Sequence, residues 1–491
     1  MDRRTKIMAT LGPASREEAT LSELFLAGAD VVRLNLSHGS HEEHRELIRT
    51  IRRVSTQLDR HVPILLDLMG PRYRLAWLPA RRNLVAGARV RLGLSNLEAE
   101  VPVEKDVLEH LQPGERLLID NGIIELEIEE KTAGQATARV VVGGAISSRK
   151  GINLPDSRLP FTVSDKDRAD IAFAVAEEVD FLGASYVGGA EDVEAIRAEV
   201  RRAGGEIPVV AKLERARAIE RLEKIVAASE ALMVARGDLG VEVPLHRVPV
   251  LQKRILETGR RAGRPVTVAT QMLESMVEQP RPTRAEATDV ATAVAEGADA
   301  LMLSTETAAG RHPVEAVRTM DRIIRETEAY LAEREDSSAN LLALPLPDEG
   351  ESEDTRIPDV VSAAAVLAAR RLDVPWIAAF SQGGFTARLV ARYRPSAGIL
   401  VFTPDPRVAR RVQLLWGARP VIVASRVEQP DQVARDVEHR LVEMNLAEPG
   451  DAVVIVMGDP VRDQPLTNLL RVGRVGKIGD ALPESDPSRG A

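Results

Sequence analysis

The chain has 491 residues, enough for about three domains, and is 44% hydrophobic and 28% charged, with no apolar run near the roughly 18 residues of a membrane span. It has no cysteine, which excludes disulfides, thiolate nucleophiles, zinc ribbons and iron–sulfur clusters. A formal charge of -9 argues against nucleic acid as a partner, and nothing in the composition suggests a membrane partner. The start, Met1-Asp2-Arg3-Arg4 running straight into strand-like sequence, offers no secretory segment and predicts a cytoplasmic protein. Only 9 of the 65 basic residues are lysines, so a lysine within an apolar stretch stands out.

Taken in chain order, Thr5–Leu11, Asp30–Leu36 and Pro63–Leu68 read as apolar strands separated by helical patterns. From Arg81 to Val142 the rhythm changes to period-two alternation broken at Gly87, Gly114, Asn121-Gly122 and Gly143-Gly144, which predicts an antiparallel β unit. The α/β rhythm then resumes, with strands ending at Tyr186, Leu213, Ala235, Thr270 and Leu303. Three strands before the insert and five after it predict an α/β fold: a (β/α)8 TIM barrel with a β domain inserted after strand 3. Beyond an Asp-, Glu- and Pro-rich stretch, strands at Trp376–Phe380, Ile399–Phe402, Val421–Val423 and Val453–Met457 predict a C-terminal α/β domain. The expected division is barrel over 1–70 and 157–340, inserted domain over 71–156, linker over 341–357, C-terminal domain over 358–480 and a flexible tail over 481–491.

Barrel enzymes carry their chemistry at the C-terminal ends of the strands, and here those ends are polar. Arg33, Asn35 and Ser37 share one face of strand two by period two, and His38 follows. Strand three ends at Asp67, strand four at Ser185, strand five at Lys212-Leu213-Glu214, strand six at Arg236-Gly237-Asp238, strand seven at Thr270-Gln271, and strand eight at Ser304 and Glu306. Lys212 emerges from the core run Pro208-Val209-Val210-Ala211; with Glu214 it forms either a structural ion pair or part of a site. In the second reading Glu214 and Asp238 offer a carboxylate pair suited to Mg²⁺, and a lysine and an arginine beside them suit a phosphorylated anion. His38, His41 and His44, three apart, read as an exposed helix start rather than a metal site. Neither G-x-x-x-x-G-K-[ST] nor G-x-G-x-x-G occurs, so any nucleotide must sit at the barrel mouth.

Several blocks, Thr5-Lys6-Ile7 to Ser15, Arg33 to Gly39, Met233 to Gly240, Ala269 to Met276 and Pro280 to Glu286, occur in an order that closely resembles the pyruvate kinases, over about residues 3 to 480. The resemblance implies a barrel, an inserted β-barrel domain that closes as a lid, a C-terminal α/β domain and a homotetramer. It implies transfer of the phosphoryl group of phosphoenolpyruvate to ADP, giving ATP and pyruvate. Carried over by position, Lys212, Thr270 and Arg33 would be catalytic, and Gly237, Asp238 and Ser304 would join them around the substrate. Glu214 and Asp238 would hold Mg²⁺, while Asn35, Leu36, Ser37, His38, Arg74 and Lys150 would meet the nucleotide. A monovalent cation would lie at Asn35, Ser37, Asp67 and Leu68.

The departures carry expectations of their own. Where the family usually has glutamate in Asp-Thr-Lys-Gly-Pro-Glu-Ile-Arg, this chain has Arg72 in Asp67-Leu68-Met69-Gly70-Pro71-Arg72-Tyr73-Arg74. A fixed guanidinium there would replace K⁺, so potassium-independent activity is expected. Met69 and Ala309 stand where lysines are frequent, and Gly188 replaces a frequent arginine. In the C-terminal domain Ser381, Gln382, Gly383, Gly384, Phe385 and Thr386 form either an effector phosphate loop or a plain helix cap. The facing loop carries Asp463, which would repel phosphate, so weak or absent fructose-bisphosphate activation is expected. The rivals are another metal-dependent barrel enzyme, against which the two extra domains argue, and a catalytically silent sensor or scaffold, against which Lys212, Glu214, Asp238 and Thr270 argue.

Overall fold

The computed structural model describes residues 3–94, 99–132, 134–157, 160–334, 353–423, 429–459 and 467–476. Eight short strands, β1 to β8, run Lys6–Thr10, Val31–Asn35, Ile64–Asp67, Phe181–Ala184, Val209–Leu213, Ala231–Ala235, Val266–Ala269 and Ala300–Leu303. Each pairs in parallel with its sequence neighbours and β8 returns to β1, so the sheet closes into the expected barrel. The strands read as unbroken apolar runs because both faces are covered. Outward residues such as Ile7, Leu34 and Val209 pack beneath the helices. Inward residues Met8, Val31, Leu65, Phe181, Val210, Met233 and Met302 fill the interior. Period two then places Thr10, Arg33, Asp67 and Lys212 one layer nearer the C-terminal rim. Three of the barrel helices open with capping boxes, at Ser40/Glu43, Ser164/Asp167 and Thr283/Glu286.

Five barrel strands end sooner than the sequence predicts, β1, β2, β3 and β7 by one residue and β4 by two. β4 stops at Ala184 and β7 at Ala269, because Tyr186 (φ 60°) and Thr270 (φ 71°) are left-handed and turn the chain out of the sheet.

Between β3 and β4 lies a seven-stranded sheet ordered Tyr73–Arg74, Gly151–Asn153, Arg116–Ile119, Ile124–Thr132, Gln135–Val142, Arg89–Gly93 and Val101–Pro102. Its two edge strands meet through an antiparallel bridge between Leu75 and Val103, and the Ala76 N–H donates to the Pro102 carbonyl at 3.0 Å. That contact closes the sheet into a small barrel around its own core of Leu92, Leu117, Leu126 and Val140. The hairpin at Asp120-Asn121-Gly122 is left-handed throughout (φ 57°, 56° and 83°), the conformation for which Asn and Gly are suited.

The C-terminal unit is a five-stranded sheet ordered Ala418–Ile422, Gly398–Thr403, Trp376–Phe380, Ala452–Met457 and Leu469–Arg474. The last strand is antiparallel and was not anticipated from the sequence, because Leu469–Arg474 alternates with charge and glycine. Helix Glu353–Arg371 begins inside the stretch read as linker, so 353–357 is helical, whereas 341–352 lies outside the described residues, as does the tail. Acidic residues and serine are as common at helix starts as in linkers, and composition does not separate the two.

This unit also closes the barrel's N-terminal end. Leu414, on the 3₁₀ turn Val412–Leu414, joins the barrel's interior cluster, and the guanidiniums of Arg4 and Arg394 both lie over the Trp416 ring beside it. Leu414→Ala is expected to cost about 2–4 kcal/mol, since it opens a cavity shared by two units. A urea midpoint equal to that of the wild type would show that the plug contributes nothing. No helix among the described residues is long and apolar enough to cross a membrane.

Candidate active site

Four barrel strands bring one charged network to the rim. Asp67, at the end of β3, is buried and accepts from Arg33 Nε at 2.8 Å and Nη2 at 2.5 Å, while Lys212 Nζ stands 3.3 Å from its Oδ2. Lys212 Nζ also lies 2.7 Å from Glu214 Oε1 and donates to Ser185 Oγ at 2.8 Å. Gly183 on β4 makes room for this: a Cβ there would sit 2.8 Å from Asp67 Oδ1. Burial pushes the Asp67 carboxyl up, but Lys212 and Arg33 outweigh it and hold Asp67 below the ordinary carboxylate range. Burial likewise opposes the charge of Lys212, and Asp67 and Glu214 overcome it, so the lysine stays an ammonium.

Glu214 is the second buried carboxylate. Its Oε2 accepts from the Tyr186 N–H at 2.6 Å, and burial, with Asp238 nearby, pushes its carboxyl up to about 7 against the pull of Lys212. Asp238 lies in the first turn of the helix Arg236–Glu242 after β6, and its Oδ1 accepts from the Tyr186 hydroxyl at 3.3 Å. Burial, then Glu214 and Asp238, push the Tyr186 phenol well up, so it remains a donor. Two close carboxylates, one costly to ionise alone, fit a hard divalent cation that takes few protein ligands and completes its shell with water and substrate oxygens. No group of three or more His, Asp or Glu suited to a metal occurs among the described residues.

Thr270 follows β7, beside β6, and its Oγ1 accepts from the Gly237 N–H at 2.8 Å. A Cβ on Gly237 would lie 3.4 Å from that oxygen, so the glycine keeps the approach open. The left-handed pair Thr270-Gln271 is clamped by Arg236, which donates from Nη2 to the Thr270 carbonyl at 2.7 Å and pairs through Nη1 with Asp289 at 2.7 Å. Ser304 immediately precedes the short helix Thr305–Ala308 and makes no side-chain capping bond to it. Glu306, expected at the end of strand eight, lies instead in that helix, where it is fully buried and accepts from the N–H groups of Leu273 (3.1 Å) and Ser304 (2.7 Å).

The other expected residues are distributed less closely. Asn35, Leu36, Ser37 and His38 form a turn in which Asn35 Oδ1 accepts from the Ser37 N–H at 3.1 Å, and Leu36 is buried. The Leu68 carbonyl is already taken by Ser185 Oγ at 2.8 Å. Arg74 and Lys150 belong to the inserted sheet, where Arg74 donates to the Arg149 carbonyl and Lys150 pairs closely with Asp120. Arg72 is exposed, and its charge is felt at Tyr186. His41 stacks on Phe173 and bonds Asp170 at 2.7 Å, and His44 bonds the His38 carbonyl at 2.8 Å, so neither points to a shared metal. In the C-terminal unit, Gly384 (φ 82°) precedes the helix Phe385–Arg392 without a side-chain cap, Thr386 bonds Thr467 at 2.8 Å, and the Ser381 N–H donates to Phe402; Asp463 lies outside the described residues.

The family models for "Pyruvate kinase, barrel domain" and "Pyruvate kinase, alpha/beta domain" match residues 2–317 and 359–473. The chain belongs to the pyruvate kinase family. It is 41% identical over 484 residues to the pyruvate kinase of Methylorubrum extorquens, covering 96% of this chain and 98% of that one. It is 40% identical over 483 residues to that of Mycobacterium tuberculosis, covering 97% and 99%. A solved pyruvate kinase from Cryptosporidium parvum superposes with a TM-score of 0.88 at 31% identity, over 96% of both chains. As in other members of this family of phosphotransferases, the barrel, inserted unit and C-terminal unit therefore form one continuous likeness. The sequence places Tyr186 and Arg236 at strand ends but assigns neither a role in the site. A left-handed turn aims Tyr186 at Asp238, and Arg236 meets the left-handed pair Thr270-Gln271 only once β6 and β7 are paired.

Proposed function

We propose that the protein transfers the phosphoryl group of phosphoenolpyruvate to ADP, giving pyruvate and ATP, with Mg²⁺, as the last phosphoryl-transfer step of glycolysis in the cytoplasm. The observation that carries the reading is the Lys212 ammonium, held between Asp67 and Glu214 at the rim with Asp238 on the next strand end. Glu214 and Asp238 would hold the Mg²⁺, which supplies positive charge against phosphate and carboxylate oxygens when bound. Lys212 holds a fixed positive charge where the P–O bond of phosphoenolpyruvate breaks and an ADP oxygen takes the phosphorus, stabilising charge on both the transferring group and the enolate left behind. Arg33, kept rigid by Asp67, grips phosphate; its guanidinium is pre-oriented and loses little freedom on binding. Thr270 Oγ1 already accepts from Gly237, which leaves its own proton free to meet the enolate side of the substrate, with Ser304 near by. The turn from Asn35 to His38 and the inserted unit, through Arg74 and Lys150, would meet ADP as that unit closes and excludes water. A homotetramer is part of the same proposal.

We also infer that activity needs no K⁺. Asp67 and the Leu68 carbonyl are satisfied within the protein, and Arg72 brings a positive charge that is felt at Tyr186. Initial rates in matched Na⁺ and K⁺ buffers are expected to agree within about two-fold, and Arg72→Glu is expected to make the rate depend on K⁺. A large stimulation of the wild type by K⁺ would discard Arg72 as the substitute. An effector at the loop from Ser381 to Thr386 is expected not to be fructose bisphosphate, which a half-saturation for phosphoenolpyruvate unmoved by micromolar fructose bisphosphate would support.

A further inference from the structure

Tyr186 touches both carboxylates of the candidate metal pair from a single residue. Its main-chain N–H donates to Glu214 Oε2 at 2.6 Å, and its hydroxyl donates to Asp238 Oδ1 at 3.3 Å. Just before it, Ser185 Oγ accepts from Lys212 and donates to the Leu68 carbonyl, both at 2.8 Å. The two-residue turn leaving β4 thus meets groups from three neighbouring strand ends. The turn is held at a cost: φ at Tyr186 is 60°, a region that bulky residues avoid and that persists where surrounding contacts enforce it. The backbone contact to Glu214 needs only this conformation, and a phenylalanine would supply it equally. The contact to Asp238 needs the hydroxyl. Asp238 has no other hydrogen bond within the side-chain network described, so without the hydroxyl its carboxylate is free to rotate about two torsions.

We propose that Tyr186 is a positioning residue whose hydroxyl fixes the Asp238 carboxylate, through Oδ1, at the orientation in which Asp238 and Glu214 act together on a divalent cation. The inference rests on the reading of that pair as the Mg²⁺ ligands. A carboxylate already oriented loses less freedom when it binds a cation, and rigid support of ligating oxygens ordinarily changes metal affinity by about ten-fold or more. Tyr186 does not act on the reacting atoms.

The test is a Mn²⁺ titration without substrate, following the free-ion electron paramagnetic resonance signal, on wild type, Tyr186→Phe and Asp238→Asn. The expected result is a dissociation constant raised about five- to ten-fold in Tyr186→Phe and about a hundred-fold or more in Asp238→Asn. In steady state, the Mg²⁺ concentration for half-activation of Tyr186→Phe should rise by the same factor as its Mn²⁺ constant, and the lost rate should return as Mg²⁺ is raised. A simply loosened fold would not give that recovery. Wild-type Mn²⁺ affinity in Tyr186→Phe, alongside loss in Asp238→Asn, overturns the positioning role and leaves the metal pair standing. Wild-type affinity in Asp238→Asn overturns the pair itself, and with it this inference.

Discussion

Lys212→Met is expected to lower kcat by about a thousand-fold or more while the protein stays folded. A single preorganised donor at a developing charge contributes about a hundred- to a thousand-fold, and here a full charge is removed from a water-poor rim. The ammonium sits within 3.3 Å of two carboxylates, so its position is fixed before substrate arrives and costs nothing to organise during the reaction. Methionine fills the same stem volume, and the two carboxylates keep other partners: Asp67 keeps Arg33, and Glu214 keeps the Tyr186 N–H. The loss should therefore fall on kcat far more than on the KM for phosphoenolpyruvate, because the charge matters most in the transition state. Stopped initial-rate assays at saturating substrate check this; a variant within ten-fold of wild type would remove Lys212 from the chemistry.

Asp67→Asn is expected to destabilise the protein by about 3–5 kcal/mol, because it leaves Arg33 and Lys212 buried with only Glu214 to balance them. The resemblance to the family suggested a monovalent-cation ligand at this position, whereas the geometry makes Asp67 the shared counter-ion of two cations. Its folded-state pKa is depressed by Lys212 and Arg33 despite burial. An acid whose pKa falls on folding stabilises the protein above its unfolded pKa, near about 4, and that contribution is lost as pH falls through the lower folded value. The stability gap between wild type and Asp67→Asn should thus be full at neutral pH and shrink below about pH 4. Urea midpoints at pH 7 and at about pH 3 measure it, and a gap that is absent at pH 7 would contradict the counter-ion role.

Much of this was legible from local pattern. The unbroken apolar strands gave eight barrel strands at the right places, since strands buried on both faces need no alternation. Period two puts Arg33 with Asn35, and Lys212 with Glu214, on one inward face, but it does not extend to Ser37, which lies past the end of β2 in the turn. What escaped depends on contacts between residues far apart in sequence. Asp67 becomes a counter-ion because β2 and β5 bring Arg33 and Lys212 to it. Tyr186 reaches Asp238 because a left-handed turn ends β4, and nothing in Ser185-Tyr186-Val187 signals that turn. Leu414 fills the barrel floor from more than 100 residues beyond β8, and the antiparallel strand Leu469–Arg474 is recognised only once it is paired with Ala452–Met457.

The central claim is that the rim moves phosphorus from one substrate to another rather than releasing it to water. Phosphorus-31 nuclear magnetic resonance of purified protein with phosphoenolpyruvate, ADP and Mg²⁺, with pyruvate assayed in the same samples, tests it most directly. The expected result is one ATP formed for each pyruvate, with inorganic phosphate at background. Pyruvate appearing with inorganic phosphate instead of ATP, or no turnover by the folded protein, would contradict it.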